Sequence, residues 1–276
     1  MKFFKYQGTG NDFILIEDYD GKAPKRADLA IKLCDRRFGI GADGILYLGA
    51  ARDADASMRI LNSDGSEAEM CGNGIRCLAK HLFDSGRVKK RTMTIATAAG
   101  IKKVECDAEQ GKVRSVTVEM GPPILDCQHI PMLCDGRFVD RAVDVDGRAI
   151  KGTAVSMGNP HLVIFEKLSE QEKEDLGPKL ERNKLFPKRT NVEFAEVHSG
   201  FIKVRVYERG AAWTLACGTG ACATVVAAAL NGLAPEGREE EIRLPGGSLW
   251  IKVGEGLSTV TMRGPAELVY IGEIGE

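Results

Sequence analysis

Two short runs in this chain join a cysteine to glycines in the same form: Cys71-Gly72-Asn73-Gly74 and Cys217-Gly218-Thr219-Gly220, each followed by a helix-like stretch. They lie 146 residues apart (217 − 71), about half of the 276-residue chain. A thiol just before a helix sits among unpaired backbone N–H groups at the positive end of the helix dipole. That setting can bring a cysteine pKa, about 8.5 when free, toward neutrality, so thiolate becomes available as a base. The same N–H groups can hold an anion, because glycines at 72, 74, 218 and 220 let its oxygens approach the backbone. With the α-carboxylate of an amino acid held there, one sulfur meets the Cα–H and the other lies on the opposite face. As the proton leaves, charge moves into the carboxylate and the N–H groups bind it more strongly, which stabilises the transition state selectively. One thiol and one thiolate are needed at a time, and they exchange roles with direction. Inversion of a carbon centre by this route requires no cofactor.

A buried cysteine is more often a small hydrophobe, and that reading applies to Cys34, Cys77, Cys106, Cys127, Cys134 and Cys222. Cys71 and Cys217 differ because their surroundings are duplicated. Met58-Arg59-Ile60 reappears as Val204-Arg205-Val206, and Gly10-Asn11-Asp12-Phe13-Ile14 is echoed by Gly158-Asn159-Pro160-His161-Leu162. Val118-Glu119-Met120-Gly121-Pro122 answers Val260-Thr261-Met262-Arg263-Gly264-Pro265. Matches in one order at nearly constant offset predict two homologous half-molecules; the period is too long for a solenoid. The halves are expected to divide as 1–120 and 121–265, near Gly121-Pro122-Pro123, with the last segment (266–276) a strand returning to the first half.

Most of the rest reads as strands rich in β-branched and aromatic residues. In the first half these are Phe3–Tyr6, Phe13–Glu17, Ile45–Leu48, Met58–Leu61, Thr92–Ala96, Ile101–Glu105 and Arg114–Met120. The second half adds Thr153–Met157, Leu162–Phe165, Phe201–Tyr207, Glu241–Leu244, Leu249–Val253 and Ser258–Met262. The order is not the strand–helix alternation of a doubly wound sheet, so the fold class is α+β. After Cys71, the residues Ile75, Leu78, Ala79, Leu82 and Phe83 form one apolar stripe that stops at Gly86. The stretch from Ala221 to Leu230 is apolar on every face and too short for a bilayer, which predicts a helix buried in a protein core. Ser169-Glu170-Gln171-Glu172 has the form of a capping box on a solvated helix. Gly39-Ile40-Gly41-Ala42-Asp43-Gly44 matches a dinucleotide fingerprint in letters only: it follows the helical, charged stretch Cys34–Arg37 and leads into a strand, the reverse order.

Charge is balanced, with 38 Lys+Arg against 39 Asp+Glu, so no basic footprint for nucleic acid is offered. The start, Met1-Lys2-Phe3-Phe4-Lys5-Tyr6, lacks the apolar core of a signal peptide, and no run reaches membrane-spanning length. Eight cysteines in such a chain are expected to stay reduced, in the cytoplasm. No metal is expected: there is no CxxC or HExxH, and Cys77 with His81 at i, i+4 has no second pair. A satisfied histidine at the helix border is the better reading of His81.

At this point the sequence resembles the diaminopimelate epimerase family. The run Asn62-Ser63-Asp64-Gly65-Ser66-Glu67-Ala68-Glu69-Met70-Cys71-Gly72-Asn73-Gly74-Ile75-Arg76 fits that family's N-x-D-G-S-x₄-C-G-N-G-x-R pattern at every fixed position. Further matches are Gly8-Thr9-Gly10-Asn11-Asp12-Phe13, Gly158-Asn159-Pro160-His161, Arg189-Thr190-Asn191-Val192-Glu193 and Tyr207-Glu208-Arg209-Gly210. The resemblance implies a cofactor-independent epimerase interconverting LL- and meso-2,6-diaminopimelate, a lysine precursor and cell-wall cross-linker. It implies two pseudo-symmetric domains, each a mixed β-sheet rolled around a central helix, a site in the cleft between them, and a homodimer.

The roles it implies are these. Cys71 and Cys217 are the acid–base pair, with His161 and Glu208 beside the thiols to tune pKa and relay protons. The backbone of Gly72-Asn73 and Gly218-Thr219 holds the reacting carboxylate. Arg209 forks onto the distal carboxylate, while Asn11, Asn62, Asn159 and Asn191 supply neutral polar contacts, Glu208 also facing substrate. Where some relatives carry a substrate-contacting glutamine this chain has Gly44, which is left out of the site. Three rivals remain: a proline or hydroxyproline racemase-like enzyme, a dithiol redox protein using Cys71 and Cys217, and a non-catalytic amino-acid-binding protein. The Tyr207-Glu208-Arg209 stretch and Asn191 favour an acyclic substrate with a distal charge.

Overall fold

The computed structural model describes residues 1–275, which fall into two compact units: Met1–Glu119 with Arg263 onward, and Met120–Met262. The first unit opens with an antiparallel pair, β1 (Lys2–Gly8) and β2 (Asn11–Glu17), turning through Thr9-Gly10, both at positive φ. A short helix, α1 (Ala27–Cys34), precedes β3 (Gly44–Gly49), which lies parallel to β2. The helix ends at Cys34; the following residues are a turn closed by Asp35, which accepts from the amides of Arg37 and Phe38. The helical reading of Cys34–Arg37 is thereby corrected: a carboxylate that captures nearby N–H groups competes with the helix. β4 (Ala56–Asn62) pairs antiparallel with β3 and with the two-residue β5 (Glu67–Ala68).

Then comes the central helix α2 (Gly72–Asp84). Its apolar face, Ile75, Leu78, Ala79 and Leu82, is buried, each large side chain contributing about 1.5–3 kcal/mol when removed from water. It packs against β1, β2, β3 and β7. Gly86 at φ +75° and the Ser85 hydroxyl on His81 O (2.6 Å) stop it. β6 (Thr92–Thr97) runs parallel to β4, and β7 (Gly100–Glu109) and β8 (Lys112–Gly121) follow as antiparallel neighbours.

The second unit repeats this order of pairings. β9 (Arg141–Val145) and β10 (Arg148–Ser156) form a hairpin, and β10 pairs antiparallel with β11 (Pro160–Ile164). After α3 (Glu170–Glu181), capped by Ser169 with Glu172, β12 (Asn191–His198) lies parallel to β11. β13 (Phe201–Glu208) pairs antiparallel with β12 and with β14 (Ala212–Thr214). The helix α4 (Gly218–Leu230) is buried from Ala221 to Ala228 and packs against β10, β11, β12 and β16. It stops at Asn231, whose side chain returns to Ala227 O at 2.7 Å, and Gly232 at φ +68°. β15 (Glu239–Leu244) runs parallel to β13, and β16 (Gly247–Val253) pairs with it antiparallel, before β17 (Val260–Gly264). The final strand β18 (Glu267–Glu273) adds antiparallel to β1 in the first unit. No helix among the described residues is long and apolar enough to cross a membrane.

Arg76 ties the first unit together. It is fully buried on α2, yet it donates to Thr9 Oγ1 (2.7 Å), Asn73 Oδ1 (2.9 Å), Pro265 O (3.1 Å) and Gly72 O (3.2 Å). A guanidinium is tolerated there because its fork of donors is satisfied. Replacing it by leucine strands those oxygens in an apolar site. Arg76→Leu is therefore expected to lose about 3 kcal/mol or more of folding stability, read as a lowered urea midpoint; an unchanged midpoint contradicts this account.

Candidate active site

Each thiol is the N-cap of its helix. Cys71 Sγ accepts from the amide of Gly74 at 3.4 Å and Cys217 Sγ from that of Gly220 at 3.3 Å. The glycines permit this closeness. A Cβ on Gly220 would lie 2.7 Å from Glu193 Oε1 and 3.3 Å from Cys217 Sγ; one on Gly74 would meet the Leu46 side chain at 3.0 Å.

Around Cys71, in the first unit, the structure gathers Asn11 and Asn73. Asn11 Oδ1 lies 3.6 Å from the sulfur and accepts from Asn73 Nδ2 at 3.2 Å, while Asn11 Nδ2 donates to Asp43 at 2.6 Å. Asp43 also accepts from Arg36, whose guanidinium forks onto Asp12. Arg36 and the buried Lys5 hold the Asp12 carboxyl below its ordinary range despite desolvation. Asn62, at the end of β4, donates to Ser66 Oγ at 3.0 Å. Gly44 sits opposite Asn62 in the ladder, and a Cβ there would meet Leu61 O at 2.7 Å, so this backbone admits no longer side chain.

Around Cys217, in the second unit, ionisable groups dominate. Thr219 Oγ1 lies 3.4 Å from the sulfur and accepts from Asn159 Nδ2 at 3.3 Å. His161 is fully buried, with Nε2 3.0 Å from Asn159 Oδ1 and Nδ1 2.7 Å from the equally buried Glu193. Glu208 Oε1 accepts from Thr214 at 2.5 Å, and its carboxylate lies close enough to the Cys217 thiol for each to affect the other's ionisation. Asn191 accepts from the amide of Arg209 (2.8 Å) and donates to Pro160 O (3.0 Å), while the exposed Arg209 guanidinium reaches Lys188 O at 3.3 Å.

The electrostatics correct one expectation. Cys217 is not brought toward neutrality: burial first, then the charges of Glu208 and Glu193, push its thiol well above the ordinary value. The hydrogen bonds from Thr219 and Gly220 act the other way and lose. Glu208 is itself pushed up by burial. Cys34, Cys77, Cys106, Cys127 and Cys222 are buried, but Cys134 is only half-buried, with Arg141 Nη1 2.9 Å from its sulfur. His81 bonds Tyr6 Oη (3.2 Å) and Glu17 (3.0 Å), not a metal, and no metal-binding cluster occurs among the described residues.

Glu193 and Thr214 were not assigned from sequence. Glu193 lies within the matched run Arg189–Glu193, which was the available signal. The residues opposite one another across β2–β3 and β11–β12 show how the halves differ. Phe13 faces Gly44 where His161 faces Asn191, and two residues on, Leu46 stands where the second unit has Glu193. Across β4–β5 and β13–β14, Ala68 faces Ile60 where Thr214 faces Val206.

Comparison with known proteins agrees with this frame. A family model described as diaminopimelate epimerase matches residues 3–125 and 153–269. The diaminopimelate epimerase of Desulfovibrio desulfuricans is 48% identical over 99% of this chain and 98% of its own length. That of Desulfitobacterium hafniense is 47% identical over 100% and 99%. Among solved structures, a hydroxyproline epimerase from Agrobacterium vitis with bound trans-4-hydroxy-L-proline superposes with a TM-score of 0.71 at 17% identity, over 99% of this chain and 90% of that one, a likeness of fold. With most of its length matched by the family model and nearly half its residues shared with such relatives, the chain belongs to the diaminopimelate epimerase family.

Proposed function

We propose that the chain interconverts LL- and meso-2,6-diaminopimelate, with Cys71 and Cys217 taking and returning the α-proton and no cofactor taking part. The observation that carries this reading is the pair of thiols, each the N-cap of a helix that begins in Gly-x-Gly. In this reading the reacting α-carboxylate rests on the backbone of Gly72-Asn73 and Gly218-Thr219, at two positive helix ends. Breaking the Cα–H bond sends charge into that carboxylate, and both helix ends bind it more strongly in the transition state. Asn11, Asn62, Asn159 and Asn191 contact the substrate as neutral polar groups, and Arg209 receives the distal carboxylate. Cys217 rests as the thiol, because burial and two carboxylates oppose its ionisation. Half-exposed Cys71 then starts as the base. Glu208, beside Cys217, is placed to exchange a proton with it, and His161 orders the same side. The reduced thiols this chemistry needs favour a reducing compartment, which supports the cytoplasm as its location.

Incubation with LL-diaminopimelate in heavy water, without added cofactor, is expected to give the meso product with deuterium at the inverted Cα. Deuterium exchange on proline or hydroxyproline alone would reassign the substrate. Cys71→Ala and Cys217→Ala are each expected to lower turnover at least ~100-fold with the fold intact; undiminished turnover by either refutes the two-base mechanism. The resting state has its own test. Removing the carboxylate of Glu208 lowers the Cys217 thiol pKa, since a neighbouring negative charge disfavours thiolate. Iodoacetamide labelling of Cys217 at about pH 8 is therefore expected to be slow and to accelerate in Glu208→Gln; an equal rate argues against Cys217 as the protonated partner.

A homodimer is part of the same proposal. Leu268, Val269, Tyr270 and Ile271 follow one another along β18 and are 42–56% exposed, so both faces of that strand are partly open. An exposed apolar strand invites association. Val269→Lys with Ile271→Lys is expected to shift the chain from dimer to monomer in sedimentation at micromolar concentration, and an unchanged dimer would rule out this strand as the interface.

A further inference from the structure

We infer that Glu193 is a positioning residue for the Cys217 thiol: its carboxylate holds the His161 ring, the ring holds Asn159, and Asn159 holds the Thr219 hydroxyl against the sulfur. The inference rests on the two-thiol reading for its catalytic consequence, whereas the chain of hydrogen bonds stands by itself.

With the Asn159 amide as placed, the hydrogen bonds run in one direction along that chain. Asn159 gives its amide hydrogen to Thr219 Oγ1 (3.3 Å), so its oxygen is the atom facing His161 Nε2 (3.0 Å) and must accept. Nε2 therefore carries a hydrogen. The contact between Nδ1 and Glu193 Oε1, 2.7 Å long, needs a proton of its own, whichever atom holds it. The imidazole is gripped at both nitrogens inside a site that water does not reach, His161 and Glu193 both having 0% exposure. Neither nitrogen points at the sulfur. Thr219 does, at 3.4 Å.

Two observations separate this from a merely structural pair. Glu193 Oε2 is buried without a hydrogen-bond partner, an arrangement that a position selected for stability alone would shed. The first unit, built on the same order of strands, closes the corresponding place with Phe13 and Leu46. There Leu46 packs where a Cβ on Gly74 would point, as Glu193 does at Gly220. The frame thus packs with two apolar side chains and does not need a carboxylate to fold. The polar pair occurs only on the Cys217 side, where Glu208 is the other carboxylate near the sulfur and Glu193 adds to the charge opposing ionisation of the thiol.

The test compares Glu193→Leu, Glu193→Gln and the double variant His161→Phe/Glu193→Leu, which carries over the first unit's own pair. A glutamine amide can donate to Nδ1, so Glu193→Gln keeps the ring in place and is expected to retain most of kcat. Glu193→Leu and the double variant are expected to lose about tenfold or more in kcat with KM within about twofold, and the double variant, with no imidazole left unpaired, to keep its melting temperature more nearly than Glu193→Leu. Wild-type kcat in Glu193→Leu overturns the inference, as does a loss in Glu193→Gln equal to that in Glu193→Leu. A second readout does not depend on turnover. The His161 Nε2–H should be a slowly exchanging imidazole resonance in the wild type and in Glu193→Gln, and exchange rapidly in Glu193→Leu. Absence of that resonance from the wild type, or its survival in Glu193→Leu, also overturns the inference. If the wild type fails to epimerise diaminopimelate, the functional reading falls while the exchange measurement still decides this one.

Discussion

One short contact in each unit organises the rest: the amide three residues into a helix donating to a cysteine sulfur at the helix's first turn, 3.4 Å for Cys71 and 3.3 Å for Cys217. For that bond to exist, the helix must begin where the thiol is, and the next turn must leave room. Glycine at 74 and 220 supplies the room, since any Cβ would press on Leu46 or Glu193. The helices must also be fixed, which the sheets accomplish by wrapping them. Ile75 and Leu78 on α2, and Val225 and Val226 on α4, are fully buried. A stability argument alone explains helices packed in curved sheets. It does not explain a sulfur where serine or aspartate caps better.

On this common frame the two units have diverged in charge. Positions at the ends of β4 and β13 carry Asn62 and Glu208; Asn11, the first residue of β2, is matched by Asn159, the residue before β11. Both asparagines bond the residue two positions after their cysteine, but in opposite senses: Asn11 accepts from Asn73 at 3.2 Å, and Asn159 donates to Thr219 at 3.3 Å. Around them, Phe13, Gly44, Leu46 and Ala68 are matched by His161, Asn191, Glu193 and Thr214. The ionisable side chains closest to a capping thiol therefore gather in the second unit. The first provides an uncharged surround of amides backed by Arg76, with its charges, Asp12, Asp43, Arg36 and Lys5, neutralising one another one layer out.

The thiols as helix caps, the central helices and most strands were legible in the chain, because an apolar stripe ending at glycine and a doubled Cys-Gly-x-Gly are local signals. β12 was not read as a strand. Glu193 and Glu196 break its alternation, and only tertiary structure shows why Glu193 can be buried: His161, thirty-two residues away in sequence, pairs with it. α1 was missed for a different reason, since Arg26 stands at its N-cap and makes no side-chain capping bond. The matched runs named Asn191 and Arg209 as contacts without revealing that Asn191 spends its amide on the Arg209 N–H and Pro160 O. Hydrogen-bond bookkeeping of that kind is a property of the assembled fold.

The expectation that failed, a Cys217 pKa brought toward neutrality, shows which force governs the site. A helix end favours a negative charge by about 0.3–1 kcal/mol, up to about 2 when partly buried, or roughly one pKa unit. Full desolvation opposes the same charge by up to about 3–5 units. Cys217 is 6% exposed and has two carboxylates for company, so desolvation wins. Cys71 caps the same kind of turn but stands half-exposed beside Asn11 and Asn73. Two equal helix ends are thus made unequal by solvent and by neighbours. A two-thiol reaction begins with one sulfur charged and the other protonated; two like thiols can share a single proton, and unequal surroundings decide which of them holds it more of the time.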